Sequence, residues 1–199
     1  MRKLIFIRHG KAVAAGEGQK DIDRILGEVG IEQAISRRDA MYVEGHDDCD
    51  LVISSPAPRA KETAKIIGSR TNDEIVIIDS LYPAPDDGGT GSRLDVLFNK
   101  IGYKPVADYL KEDDGKVVME WAERAWGHTN AIIESYGNPD TVAVFGHAVC
   151  LQALGMQICS DNDLLNFRSM IADLNLGECE GFVLTIEDGK VVDLENFCG

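Results

Sequence analysis

Four short runs of apolar residues, separated by stretches with helical spacing, constrain the fold of this 199-residue chain more than any other feature. The runs are continuous and rich in Val, Ile or Phe: Leu4–Ile7, Leu51–Ser54, Ile75–Ile78 and Thr141–Phe145. Continuous runs are typical of strands buried on both faces of a sheet. Helical spacing follows at Ile31–Val43, Ala57–Ser69, Lys116–Tyr136 and Val149–Ile158. This alternation predicts an α/β fold, a three-layer α/β/α sandwich around a mostly parallel sheet.

The end of the chain has a different pattern. Gly181–Ile186 and Val191–Leu194 are apolar segments that flank Glu187-Asp188-Gly189-Lys190. Two strand-like segments around an Asp-Gly turn are a strong signal for a β-hairpin. We therefore expect a mixed sheet that ends in a C-terminal antiparallel hairpin.

The length of the chain is enough for one sizeable core, and we expect a single domain over residues 1–199. The segment 82–115 is the least regular part, with two prolines, a glycine-rich stretch and short helical pieces at Leu94–Ile101 and Val106–Leu110. It interrupts the alternation of strands and helices. We predict that residues 82–115 form a lid-like excursion over the sheet.

The chain is strongly acidic, with 34 Asp and Glu residues against 20 Lys and Arg and a formal net charge of −14. Such a surface repels nucleic acid and anionic lipid headgroups, so neither is an expected partner. Any site for an anionic substrate must therefore concentrate a few arginines in a cleft, against the field of the whole molecule.

Two further features favour a cytoplasmic protein. The N-terminal apolar run Leu4–Ile7 is too short for the apolar core of a signal peptide and far too short to span a bilayer. The five cysteines are odd in number and contain no C-x-x-C pair, which favours reduced thiols over a disulfide framework.

Basic and imidazole side chains follow three of the predicted strands. Arg8 and His9 come directly after the first run, and Gly10 next to them allows a sharp turn and close approach of a ligand. In open α/β sheets, ligands bind beyond the carboxyl ends of the strands. Arg59 follows the second run and His147 the fourth, so we expect all four side chains to meet at one edge of the sheet.

The segment after the second run predicts how Arg59 is presented. Ser54 or Ser55 is the expected N-cap of the following helix, with Pro56 at its first position and Arg59 in its opening turn. A helix N-terminus attracts anions, and an arginine there adds a planar fork for phosphate oxygens. The convergence therefore indicates a phosphate-binding site.

Four stretches, in order along the chain, resemble motifs of the histidine phosphatase superfamily, the phosphoglycerate mutase-like fold, and especially its small phosphohistidine phosphatase-like branch. The first is Leu4–Ala12 around Arg8-His9-Gly10. The second is Asp23-Arg24-Ile25-Leu26 with Gly30 and Gln33-Ala34, which is similar to the D-x-x-R-x-L and G-x-x-Q-A segment of that branch. The third, Ser54–Ala60 with Thr63-Ala64, is similar to its second arginine motif, and the fourth, Val144–Ala148, is similar to its second histidine motif.

The resemblance implies that His9 attacks phosphorus while Arg8, Arg59 and His147 hold the phosphoryl oxygens. A neutral imidazole is a good nucleophile near pH 7 and needs no metal, so we expect neither a metal nor a cofactor. The predicted function is a phosphatase that hydrolyses a phosphomonoester or phosphoramidate, on a small molecule or a phosphoprotein, through a phosphohistidine intermediate on His9. The alternatives are phosphoglycerate mutase-type phosphoryl transfer and a non-catalytic module that senses phosphate.

The acid that protonates the leaving group is less defined. The family usually supplies a carboxylic acid after the third strand, and this sequence departs from the common glutamate pattern there, offering Asp79, Asp86 and Asp87. We favour Asp86 or Asp87, because a loop beyond the strand end reaches the leaving group better than Asp79 at the end of the strand. If none of them acts, substrates with good leaving groups, such as phosphoramidates, are favoured.

One further pair could in principle bind a metal. His46 and Cys49 have a suitable spacing, but three aspartates surround them and no second pair follows. The sequence favours a solvated loop over a metal site at this position.

Overall fold

A computed structural model of the chain describes residues 1–46, 48–68, 74–83, 89–102, 104–161 and 165–198. The strands are β1 (Arg2–Arg8), β2 (Leu51–Ser54), β3 (Ile75–Ile77), β4 (Thr141–Gly146), β5 (Gly181–Glu187) and β6 (Lys190–Asn196). The helices are α1 (Glu28–Glu44), α2 (Pro58–Gly68), α3 (Thr90–Ile101), α4 (Val106–Tyr109), α5 (Lys116–Ser135), α6 (Ala148–Asp161) and α7 (Leu165–Asp173). Short 3₁₀ turns lie at Asp21–Asp23, Asp79–Leu81 and Glu112–Gly115.

The strands form one sheet in the order β3-β2-β4-β1-β5-β6. β1, β2, β3 and β4 are mutually parallel, whereas β5 is antiparallel to β1 and β6 is antiparallel to β5. The predicted mixed sheet with a C-terminal hairpin is thereby confirmed. The carboxyl ends of β1, β2 and β4 lie side by side, since Arg8 pairs with Gly146 and Ser54 with Phe145.

The two faces of the sheet are covered by different helices. Side chains that point to one face, among them Leu4 and Phe6 of β1, pack in one buried cluster with residues of α3, α4, α5, α6 and α7. The alternate side chains Ile5 and Ile7 pack with residues of α1 and α2 on the other face. The three-layer α/β/α sandwich is therefore confirmed, and β1 lies at its centre with both faces buried.

Segment 82–115 contributes to the helical layer where it is described. Leu94 of α3 and Val106 and Tyr109 of α4 are fully buried in the same cluster as Leu4 and Phe6. The lid-like role of this segment stays a prediction. Within the described ranges, no helix combines the length and the apolar character needed to cross a lipid bilayer.

Candidate active site

The structure brings together His9, Arg59 and His147 at the edge of the sheet where β1, β2 and β4 end. Nε of Arg59 lies 3.0 Å from Nε2 of His9. The rings of His9 and His147 meet edge to face, with centroids 5.0 Å apart. Arg59 itself is almost fully buried, with 3% of its surface exposed. Three of the four predicted side chains are therefore in contact.

His9 has different partners on its two ring nitrogens. Nδ1 lies 2.7 Å from the carbonyl oxygen of Gly10, an acceptor, and Nε2 accepts the hydrogen bond from Nε of Arg59. These partners assign the proton to Nδ1 and the lone pair to Nε2. Burial lowers the pKa of His9 to about 3, and the charges of Arg59 and Arg8 act in the same direction against the bond to Gly10. The imidazole is neutral near pH 7, which is the form that can attack phosphorus.

The backbone after His9 is held by close contacts that only glycine permits. A Cβ on Gly10 would lie 2.6 Å from the carbonyl oxygen of Gly30, and one on Gly30 would lie 2.3 Å from that of Lys11. The N–H of Lys11 donates to Oε1 of Gln33, 2.8 Å away. The glycine and glutamine of the resembling motif thus pack the first turn of α1 against the segment that carries His9.

Helix α2 presents Arg59 differently from the prediction. The helix begins at Pro58, not Pro56, and neither serine caps it. Oγ of Ser54 donates to the carbonyl oxygen of Ser55, and Oγ of Ser55 lies 3.0 Å from Nε2 of His147. The predicted cap was wrong because both hydroxyls have other partners, while Arg59 still lies in the first turn.

His147 links the histidine pair to β2. Nη2 of Arg59 lies 3.4 Å from its Nδ1, and since a guanidinium can only donate, the ring proton is assigned to Nε2, facing Ser55. Burial, together with the charges of Arg59 and Arg8, lowers the pKa of His147 well below its usual value. The ring is therefore neutral near pH 7 in the described structure.

Arg8 is held by the loop between α7 and β5. Its Nη1 donates to the carbonyl oxygen of Leu176 over 2.6 Å, and the N–H of Cys179 donates to the Arg8 carbonyl. The loop between α7 and β5 thus anchors this arginine. Its charge contributes to the lowered pKa of both His9 and His147, so it acts on the same site electrostatically.

Asp21 is a site residue that the sequence analysis did not single out. Its Oδ2 accepts from Nη2 of Arg59 at 2.6 Å and from the hydroxyl of Tyr82 at 3.0 Å, and its backbone carbonyl accepts from Nη1 of Arg59 at 2.5 Å. Oδ1 accepts from Nη1 of Arg24 at 2.9 Å. The sequence contained a signal for this residue. When the D-x-x-R-x-L pattern is aligned on Arg24 and Leu26, its aspartate is Asp21 and not Asp23.

The carboxyl of Asp21 is ionised in this arrangement. Partial burial raises its pKa, but the hydrogen bond from Arg24 and the charge of Arg59 outweigh burial and hold the pKa below its usual value. The neighbouring Tyr82 is shifted the other way, since burial and the charge of Asp21 raise the pKa of its phenol well above its usual value. Near pH 7 the pair is a carboxylate and a neutral phenol that donates to it.

Of the three predicted general acids, only Asp79 lies within the described residues. Asp79 is exposed at the start of a 3₁₀ turn, and its side chain makes no contact with the His9 cluster in the described part of the chain. Asp86 and Asp87 lie outside the described residues.

His46 and Cys49 are buried, with 5% and 6% of their surfaces exposed, and the prediction of a solvated loop was wrong. They line a small cavity between the end of α1 and the sheet, together with Met41, Ile67 and Phe145. Among the described side chains, no three His, Cys, Asp or Glu residues come together as metal ligands.

Comparison with known proteins supports the relationship suggested by these motifs. Residues 4–82 match the sequence model of the histidine phosphatase superfamily (branch 1). No curated protein matches the chain significantly.

Solved structures share the fold over nearly the whole chain. A phosphoserine phosphatase from Entamoeba histolytica is 23% identical, with a TM-score of 0.64 over 100% of this chain and 98% of its own. A mycobacterial glucosyl-3-phosphoglycerate phosphatase is 20% identical, with a TM-score of 0.64 over 93% of both chains. The protein histidine phosphatase SixA is 14% identical, with a TM-score of 0.55 over 98% of this chain and 94% of its own.

Proposed function

We propose that this chain is a phosphatase of the histidine phosphatase superfamily, whose sequence model matches residues 4–82, and that it hydrolyses a phosphomonoester or phosphoramidate through a phosphohistidine on His9. The observation that carries the proposal is the neutral His9 imidazole, whose Nε2 lone pair faces the buried Arg59. The proposed nucleophile and the proposed phosphate-binding cation are thus in direct contact. The same proposal treats residues 1–199 as one domain acting in the cytoplasm.

The reaction has two displacements at phosphorus. In the first, Nε2 of His9 forms a bond to phosphorus while the bond from phosphorus to the leaving oxygen or nitrogen breaks, and the leaving group takes the electron pair and a proton. In the second, water forms a new P–O bond and gives up a proton to the carboxylate that acted as the acid or to solvent, the N–P bond breaks, and its electron pair returns to Nε2. The bond from Nδ1 to Gly10 keeps the ring oriented throughout.

The cations of the site would stabilise the charge on the three non-bridging oxygens. Arg59 offers a planar fork of donors, Arg8 adds a second positive charge, and His147 lies against both His9 and Arg59. Once the phosphoryl group is bound, donors and charges held around it are effective because they need not reorganise during the chemical step.

Protonation of the leaving group limits the substrate range. Asp86 or Asp87 remains the proposed acid, with Asp79 as the further candidate. The ionised Asp21 does not supply a proton near neutral pH. If no acid acts, turnover is fastest with aryl phosphates and phosphoramidates, whose leaving groups need least help.

Replacement of the nucleophile tests the proposal. We expect His9→Asn to lower kcat for an aryl phosphate by about a thousandfold or more. The matched control is His128→Asn, which changes an exposed histidine on α5 and should leave kcat unchanged. Unchanged turnover in a folded His9→Asn protein, judged by circular dichroism, rejects His9 as the nucleophile.

The intermediate has its own signature. A phosphoenzyme trapped from the wild type should be labile in acid and stable in alkali, and the opposite pattern would point away from histidine. The substrate class can then be narrowed with a panel of a phosphohistidine protein, phosphoserine and sugar phosphates, each run beside His9→Asn.

A further inference from the structure

Every nitrogen of the Arg59 guanidinium has a hydrogen-bond partner among the described residues. Nε donates to Nε2 of His9, Nη1 to the carbonyl oxygen of Asp21, and Nη2 to Oδ2 of Asp21, with Nδ1 of His147 further away. The proposed phosphate-binding fork is therefore filled by groups of the protein itself. A phosphoryl group can use the fork only if one of these partners leaves.

Asp21 is the partner best able to leave. His9 follows a central strand and is buried, whereas the side chain of Asp21 is 48% exposed. It lies on a short 3₁₀ turn, Asp21–Asp23, in the long connection between β1 and α1. The residues before this turn, 14–20, are all exposed. Movement of this turn would break few buried contacts.

Asp21 also has the chemistry of a phosphate substitute. A carboxylate presents two anionic oxygens to donors, much as two oxygens of a phosphoryl group do, and arginine binds both with the same planar fork. Here Oδ2 takes one bond from a charged donor, Nη2 of Arg59, and one from a neutral donor, the Tyr82 hydroxyl. Tyr82 belongs to the same cluster, because its ring meets that of His147 edge to face at 5.0 Å.

We propose that Asp21 is a built-in competitor of the phosphoryl group, whose carboxylate occupies Arg59 and Tyr82 until a phosphoryl oxygen displaces it and takes the same two donors. This inference rests on the proposed function. It makes Asp21 a positioning residue that acts through Arg59, and it adds Tyr82 to the groups that bind the phosphoryl oxygens.

The exchange also affects the nucleophile. In the described state the lone pair of Nε2, which must attack phosphorus, accepts a hydrogen bond from Nε of Arg59. Asp21 accepts hydrogen bonds from the other two nitrogens of the same guanidinium, Nη1 and Nη2, and these bonds hold the guanidinium against His9. When a phosphoryl group replaces Asp21, Arg59 turns toward the new oxygens and the lone pair is released. Binding of the correct anion and exposure of the nucleophile are then one event.

A purely structural role for Asp21 predicts the opposite effect of mutation. If the carboxylate only held Arg59 in place for the ligand, its removal would weaken anion binding. If the carboxylate competes, its removal strengthens binding. The sign of the change therefore separates the two.

The test measures vanadate and inorganic phosphate binding by calorimetry in the wild type and in Asp21→Ala. We expect binding to be about 3- to 10-fold tighter in Asp21→Ala, the range for loss of one half-exposed charged contact. The matched control is Asp23→Ala, which removes the same charge from the same 3₁₀ turn, where Asp23 is exposed. Equal tightening in both variants assigns the effect to net charge and overturns the proposal, as does unchanged or weaker binding in a folded Asp21→Ala protein.

A second readout is independent of the overall charge. Formate is a free carboxylate that fits the position vacated in Asp21→Ala, so it should compete with vanadate in that variant and much less in the wild type, at equal ionic strength set with chloride. Equal competition in both proteins overturns the proposal. Failure of the proposed function gives a different result: a wild type that neither binds vanadate nor releases phosphate from any substrate.

Discussion

The two nitrogens of His9 face a carbonyl oxygen and a guanidinium, and this asymmetry determines its chemistry. The carbonyl of Gly10 can only accept, so it fixes the proton on Nδ1. The guanidinium repels a second proton from Nε2, and burial disfavours the charged ring still more. His9 is thus kept as a neutral nucleophile far below the pH at which an exposed histidine becomes protonated.

The protonation state of His9 can be measured directly. Because burial lowers its pKa to about 3, its ¹⁵N ring signals should remain those of a neutral, Nδ1-protonated imidazole from pH 8 down to pH 5. NMR of the protein labelled with ¹⁵N-histidine checks this, and His9→Asn identifies the signals by their loss. A midpoint near pH 6.5 in these signals would contradict the assignment.

At this scale the sequence could predict the cluster but not its internal contacts. His9, Arg59 and His147 follow strands whose carboxyl ends must adjoin in a parallel sheet, so their proximity follows from topology. The contact of Asp21 with Arg59 depends on how the connection between β1 and α1 folds back. That connection has no apolar periodicity from which its path could be read.

Between elements, Thr63 of α2 connects the His9 segment to the helix that carries Arg59. Its Oγ1 accepts from the backbone N–H of Gly10 at 3.1 Å and donates to the carbonyl oxygen of Arg59 at 2.7 Å. The residue is fully buried. One hydroxyl therefore fixes the distance between the nucleophile and its cation.

Thr63→Val keeps the shape of this side chain and removes the hydroxyl. The buried N–H of Gly10 then lacks an acceptor, which costs about 1–3 kcal/mol of folding free energy. We expect that loss in urea denaturation, together with a lower kcat for an aryl phosphate. Thr63→Ser is the control, since it keeps the hydroxyl and should retain more of the activity than Thr63→Val. Full stability in the valine variant would show that the bond contributes little.

The elements differ in how well the sequence could predict them. β2 has its predicted bounds, and β1, β3 and β4 differ only at their ends. The runs of β1, β2 and β4 are continuous because these strands are mostly buried on both faces. β3 lies at the edge of the sheet and is only half-buried, with Ile77 42% exposed. Helix α7 was not predicted. Its apolar residues are not confined to the buried face, since Leu165 is 74% and Met170 48% exposed while Phe167 and Ile171 pack against the core. Apolar residues on both faces weaken the helical periodicity of the sequence.

For the whole molecule, burial of two neutral histidines makes folding sensitive to acid. His9 and His147 both have lowered pKa values in the folded protein, whereas in the unfolded chain each binds a proton near pH 6.5. Below that pH the unfolded state holds more protons, so the free energy of unfolding falls as the pH decreases toward the folded pKa. The 14 excess negative charges act oppositely, because their protonation relieves self-repulsion.

Comparing the wild type with a histidine variant separates the histidine contribution to the free energy of unfolding from that of the carboxylates. His9→Asn removes one titrating group and leaves every carboxylate in place, so the carboxylate contributions cancel in the comparison. Between pH 7 and pH 5 the wild type should lose about 2 kcal/mol more unfolding free energy than His9→Asn, since 1.5 pH units below the unfolded pKa correspond to about that amount. Urea denaturation at the two pH values measures both losses. Equal losses would mean that His9 takes up its proton over the same pH range in the folded and the unfolded protein. That result would contradict the lowered pKa of His9.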